Sequence, residues 1–187
     1  IHFNIAGADP HTINVLSALP TIADTVIIDG WSEADFAGAP VIELNGTGAG
    51  AASGLSLFVG SDGSTIRGLV INRFAQSGIS IAFSDNHVIA GNYLGTDVTG
   101  TAAAANGIHG VVINASSGVT IGGLNAADRN VISGNSGSGI TIENISSNTT
   151  VIGNYIGTNA AGSAAVANAG EGIRITQSSG DVIGGVV

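Results

Sequence analysis

Apolar and polar positions alternate along this chain in one short theme that recurs from end to end. Gly54, Gly78, Gly110, Gly139 and Gly172 each precede an apolar–x–apolar triplet, namely LSL, ISI, VVI, ITI and IRI. Alternation with period two sends the outer members of a triplet to one face of a strand and the middle member to the other. Each unit then carries a second strand ending in apolar–x–Gly, at residues 66–68, 89–91, 121–123, 151–153 and 183–185. A shorter third strand follows in most units: LVI at 69–71, NYL at 92–94, NVI at 130–132 and NYI at 154–156. The marker glycines are 24, 32, 29 and 33 residues apart, so three short strands and no convincing helix fill each unit.

A longer period encloses this one. Residues 91–123 align without a gap on residues 153–185, a shift of 62, with 18 of 33 positions identical. A unit of this size cannot bury its own apolar face, whereas stacked units bury theirs continuously. The pattern therefore predicts an all-β chain folded as a right-handed parallel β-helix of about six to seven rungs, each about 4.8 Å above the last. The expected core stacks on the first sheet are Leu55/Ile79/Val111/Ile140/Ile173 and Leu57/Ile81/Ile113/Ile142/Ile175. Ile66/Ile89/Ile121/Val151/Ile183 form the stack of the second. The same register puts Asn92, Asn130 and Asn154 at one corner of three successive rungs, where stacked amides satisfy one another as a structural ladder.

Residues 54–187 carry the regular rungs, and 1–53 read as the first, less regular ones of the same single domain. There IHFNI, TVIIDG and VIELNG read as strands and residues 30–40 as a surface loop. Ala-rich excursions at 97–109 and 159–171 leave one corner two rungs apart, and the rung between them inserts LNAADR at 124–129 instead. The final DVIGGVV stops partway through a rung, as expected of a segment of a longer solenoid with neighbouring rungs or domains of the same polypeptide as its partners.

Composition sharpens this picture. Of 187 residues 30 are Gly, roughly twice the usual share, while only 9% are charged and Lys, Cys and Met are absent. The four cations Arg67, Arg73, Arg129 and Arg174 stand against thirteen acids, for a net charge of -9. That balance argues against nucleic-acid partners, which need clustered cations. Absence of Cys removes thiolate metal sites and thiol nucleophiles, and no apolar run has the length for membrane insertion as a helix.

Repeats of the type SGITIENISSNTTVIGNYIGTN, with the opening TINVLSALPTIADTVIIDG, VIELNG and TIRGLVINRF, resemble the parallel β-helix repeats of secreted and cell-surface bacterial proteins. The CSLREA-type signature that often opens that group is absent. The resemblance implies a pectate-lyase-like fold and an extracellular or cell-surface location. It implies no activity, since folds host unrelated functions.

Candidate chemistry is sparse. Lyases of this fold need a carboxylate-held Lewis acid with a cationic base, and the hydrolases need a carboxylate pair. The outward column of the first sheet reads Ser56, Ser80, Val112, Thr141 and Arg174, without a carboxylate. The next column reads as Val59 and Phe83 early, then Asn114, Glu143 and Thr176. Glu143, Glu171 and Arg174 form the best polar cluster, with Glu143 and Arg174 expected as a cross-rung ion pair. Trp31 is the aromatic expected to contact a ligand, and Tyr93 and Tyr155 read as packing residues.

His2, His11, His87 and His109 lack paired metal-ligand spacing, and His109 and Glu171 lie two rungs apart, so no catalytic residue, resident metal or cofactor is expected. Asp62, Asp97 and Asp128 are the candidates for structural calcium, without the spacing of a dedicated calcium loop. Asp85-Asn86-His87 reads as an Asx turn. The expected function is a non-catalytic extracellular scaffold or adhesive surface segment, with polysaccharide or cell-surface glycan as partner. The alternatives are a segment of a carbohydrate-active lyase, hydrolase or epimerase, or a carbohydrate-binding module.

Overall fold

The computed structural model describes residues 1–184; the last three residues of the DVIGGVV end, including Gly185 of the final apolar–x–Gly, lie outside the described residues. Three parallel sheets run the length of the chain. The first holds β4 (Leu55–Leu57), β7 (Ile79–Ala82), β10 (Val111–Asn114), β13 (Ile140–Glu143) and β16 (Ile173–Thr176). The second holds β2 (Ile27–Asp29), β5 (Thr65–Arg67), β8 (Val88–Ala90), β11 (Thr120–Gly122), β14 (Thr150–Ile152) and β17 (Val182–Ile183). The third holds β1 (His11–Asn14), β3 (Ile42–Asn45), β6 (Leu69–Asn72), β9 (Tyr93–Leu94), β12 (Val131–Ile132) and β15 (Tyr155–Ile156). Successive strands of the chain belong to different sheets, so each pairs with its counterpart one rung away. This is a parallel β-helix. Among the described residues its only helical pieces are 3-10 turns at Gly30–Ser32 and Ala126–Asp128.

Strand register aligns the apolar triplets. Leu55, Ile79, Val111, Ile140 and Ile173 pair in succession, as do Leu57, Ile81, Ile113, Ile142 and Ile175. Ile28, Ile66, Ile89, Ile121, Val151 and Ile183 line up on the second sheet. Inner members of the middle rungs, such as Ile79, Ile81, Ile113, Ile121 and Ile140, are fully buried. Strands this short draw their stability from that continuous burial, worth about 1.5–3 kcal/mol per large aliphatic side chain.

Polar ladders run beside the apolar stacks. The Asn92 amide donates to Asn130 Oδ1 at 3.1 Å, and the Asn130 amide donates to Asn154 Oδ1 at 2.8 Å. Each Oδ1 also accepts a backbone N–H from the rung before it, so one side chain satisfies groups on two rungs. A second ladder joins Asn106 to Asn135 at 3.1 Å and Asn135 to Asn168 at 3.0 Å. A serine column, with Ser84, Ser116 and Ser146 linked through backbone N–H to hydroxyl bonds, lines the corner between the first two sheets. All three serines are buried.

The first rungs depart from expectation. IHFNI makes no strand; His2 forms a single parallel bridge to Asp29, and the Phe3 and Ile5 amides donate to side chains of Ser32 and Glu33. The first strand of the third sheet is instead His11–Asn14, whose register against Ile42–Asn45 places His11 over Ile42. Its alternation was hidden by polar Thr12 and Asn14 at an edge with only one neighbour. The 30–40 loop is also less superficial than its composition suggests, since Glu33 and Pro40 are buried. The two Ala-rich excursions meet across the intervening rung, where the Ala160 amide donates to the Gly100 carbonyl at 2.9 Å.

Candidate functional site

On the outer face of the first sheet, Glu143 pairs in register with Asn114 and Thr176, and Arg174 lies beside Thr141. The early member of the Glu143 column is Ala82, not Val59 or Phe83. Phe83 follows at φ 54° and turns into the corner, where its ring meets Phe58 edge-on at 5.5 Å. The expected Glu143–Arg174 ion pair does not form. Among the described residues the ion pairs within 4.0 Å are His11–Asp9, Arg67–Asp29 and Arg73–Glu43. Glu143 Oε1 accepts from the Asn114 amide at 3.3 Å instead, because the register sets the two side by side.

Glu171 and His109 are brought onto one relay by the rung between them. The Ser138 hydroxyl donates to Glu171 Oε2 at 2.8 Å, and the Ser138 backbone N–H donates to His109 Nδ1 at 3.1 Å. Accepting at Nδ1 places the proton of a neutral imidazole on Nε2. Burial pushes the His109 imidazole below its ordinary pKa, against the pull of Glu143. The Ser138 hydroxyl holds the Glu171 carboxyl below the usual range, with a smaller contribution from Arg174. A serine nucleophile must be open to its substrate as well as beside a base, and a glycosidic acid needs a raised pKa. Ser138 is buried with its hydroxyl on the carboxylate, and Glu171 is shifted the other way. The arrangement is that of a polar clasp across three rungs.

Trp31 lines a cleft of about 110 Å³ with Pro40, Gly91, Tyr93, Ala127 and Arg129. It lies between the 30–40 loop and the 124–129 insertion, whose 3-10 turn is closed by Asp128 accepting from the Asn125 amides. Ligand pockets usually run to about 300–1,000 Å³. The aromatic faces are engaged from within the chain. The Arg67 guanidinium stands 4.5 Å over the Trp31 ring and is held there by two bonds to Asp29. Arg129 covers Tyr155 at 4.3 Å, its Nε donating to the Gly153 carbonyl. Such cation–π pairs stabilise by about 0.5–2 kcal/mol and occupy one face of each ring.

A further network at the serine corner escaped sequence reasoning. His87 is fully buried, with Nε2 3.0 Å from Ser84 Oγ, and that hydroxyl donates to Asp62 Oδ1 at 2.7 Å. Asp85 forms no Asx turn with His87; it accepts the Ser117 amide of the next rung at 2.7 Å. Only the spacing of Asp62 from Ser84, close to one rung, hinted at the contact. Of the calcium candidates, Asp62 is thus engaged, and Asp97 accepts from Thr99, Thr101 and Ala102 within its own loop.

Burial pushes the His87 imidazole below its ordinary value of 6.5, against the attraction of Asp62. The folded protein therefore holds fewer protons than the unfolded chain below about pH 6.5. Stability is expected to be flat above that value and to fall as the pH drops toward the folded-state pKa. Urea midpoints measured from pH 8 to pH 5 should show this decline in the wild type and a shallower one in His87→Gln. Equal slopes would remove His87 as the cause.

Compared with known protein families, curated proteins and solved structures, the chain matches none.

Proposed function

We propose that this chain is a non-catalytic scaffold segment of a secreted or cell-surface bacterial β-helix protein, presenting a rigid, weakly charged solenoid face for adhesion. The observation that carries this reading is the engagement of its acids. Ten of the thirteen accept hydrogen bonds from side chains or backbone N–H groups of the same chain. Glu43 illustrates the use: it receives Thr12, Asn72 and Arg73 at 2.7, 2.8 and 3.0 Å, tying three rungs together on the outer face. Carboxylates held in this way lock register. A hydrolase needs them poised in pairs across an open groove.

The test is incubation of the purified chain with neutral and acidic polysaccharides, scoring bound glycan and released products separately. The expected result is no product from any substrate. Product release would establish a carbohydrate-active enzyme and overturn the proposal. Binding that is abolished by Trp31→Ala, without product, would make the chain a carbohydrate-binding module.

A further inference from the structure

Among the described residues, the three acids that accept no hydrogen bond are Asp9, Asp24 and Asp35, and two of them converge. Asp9, His11 and Asp35 each place one ligand atom within 4.8 Å of the other two. Asp9 precedes the first strand of the third sheet by two residues, His11 opens that strand, and Asp35 arrives from the loop beyond the Gly30–Ser32 turn. Two carboxylates in such proximity repel one another unless a cation lies between them.

The second observation concerns the imidazole. The His11 side chain is only 6% exposed, and its Nε2 is buried without a hydrogen-bond partner. Asp9 Oδ1 stands 3.2 Å from Nε2 without the alignment of a hydrogen bond. A buried nitrogen left in this state is destabilising unless something else takes its lone pair or its proton. The position is fixed. The His11 backbone N–H donates to the Val41 carbonyl at 2.8 Å, and strand parity sets the residue over Ile42, at the head of an apolar stack. An aliphatic side chain would suit that stack, and the residue present is a metal-ligating one.

We propose that Asp9, His11 and Asp35 form a binding site for a single zinc ion, with its remaining coordination position open to water. One imidazole nitrogen and two carboxylate oxygens are a borderline donor set, better matched to zinc than to calcium or magnesium, which favour all-oxygen sites. Zinc ligands lie about 2.0–2.2 Å from the metal, so donor atoms pack roughly 3.4 Å apart around it. Asp9 and Asp35 are exposed and free to close that distance, while His11 is held. The ion would fasten the 30–40 loop to the first strand and neutralise the charge between its two acids. Because Asp35 comes from a loop distant in sequence from Asp9 and His11, no spacing motif announces the three together.

The test is zinc titration of the purified chain at pH 7.5, after chelator treatment, by calorimetry and by competition with a chromophoric chelator. The expected result is one zinc per chain, accompanied by a rise in Tm. Asp35→Asn, a change in an exposed loop that leaves the strand intact, should weaken binding by about tenfold or more through loss of one anionic ligand. His11→Gln should abolish the Tm rise, and His2→Ala should leave both readouts unchanged. Absence of stoichiometric zinc binding in the wild type would overturn the site. So would binding that Asp35→Asn and His11→Gln leave intact, or that His2→Ala removes.

Discussion

Asn130→Ala is expected to destabilise the protein by about 3–5 kcal/mol, through the loss of a side chain that serves two rungs at once. Asn130 Oδ1 accepts the Asn92 backbone N–H at 2.9 Å and the Asn92 amide at 3.1 Å, while its own amide donates to the Ile89 carbonyl and to Asn154 Oδ1, both at 2.8 Å. Truncation strips the buried Asn92 N–H of its acceptor and leaves a void in place of the amide. Some neighbours keep a second partner: the Asn92 amide retains the Ile66 carbonyl, and Asn154 Oδ1 retains the Asn130 N–H. The loss is therefore smaller than four full bonds. Asn154→Ala should cost less, because that side chain is only half-buried.

Asn130→Asp separates shape from hydrogen bonding. One oxygen still accepts from Asn92, but the other faces two acceptors, the Ile89 carbonyl and Asn154 Oδ1. A buried carboxylate in that setting has its pKa raised, so the variant should be destabilised at pH 7 and recover as the pH falls and the acid becomes a donor. Urea denaturation at pH 7 and pH 4.5, with midpoints compared at constant slope, reads both effects. An Asn130→Ala midpoint close to wild type, or a pH-independent Asn130→Asp deficit, would remove the ladder as a source of stability.

The solenoid was legible because its signal is repeated. A single LSL or ITI triplet is ambiguous, yet five of them in one phase with apolar–x–Gly strands behind them leave one way to bury the apolar side chains. The same redundancy exposed the Asn92, Asn130 and Asn154 column. It failed where redundancy ends. His11–Asn14 has one neighbouring strand and carries polar residues in three of four positions, so nothing in its own pattern marks it. The second ladder of Asn106, Asn135 and Asn168 was hidden by the differing lengths of the loops that precede it.

Candidate sites were less legible, since they depend on contacts between elements rather than on repetition. Register alone suggested that Glu143 and Arg174 are diagonal neighbours, but whether two outward side chains meet is decided by competing partners. Asn114 takes Glu143, and Ser138 takes Glu171. Trp31 was singled out for its rarity, and rarity says nothing about Arg67 lying over its ring. Asp9, His11 and Asp35 went unnoticed together because Asp35 is distant in sequence and the paired spacing sought was between histidines.

The marker glycines lead to the second large effect. None of Gly54, Gly78, Gly110, Gly139 and Gly172 has the positive φ that would demand glycine for its backbone, so rung corners are not their explanation. They form a column instead. A methyl group on Gly54 would stand 2.5 Å from the Gly78 carbonyl oxygen, and one on Gly78 2.8 Å from that of Gly110. The same approach recurs at 2.6 Å from Gly110 to Gly139 and at 2.7 Å from Gly139 to Gly172. Each glycine lets the next rung come to strand-pairing distance, and its side-chain position is filled by its neighbour's backbone.

Gly110→Ala must therefore force the rungs apart or twist them, since a carbonyl held by the ladder cannot give way as a flexible side chain would. The new methyl also meets Ile132 Cγ2 at 2.5 Å. A loss of about 3 kcal/mol is expected, at the upper end for overpacking. Gly172→Ala is the internal control, for the nearest atom is Ile156 Cγ2 at an ordinary 3.5 Å. That variant should be neutral or stabilised by up to about 1 kcal/mol, through the lower entropy of its unfolded chain. Paired urea midpoints decide the matter: similar losses at both positions would mean that backbone conformation, and not the approach of the next rung, is what keeps glycine there.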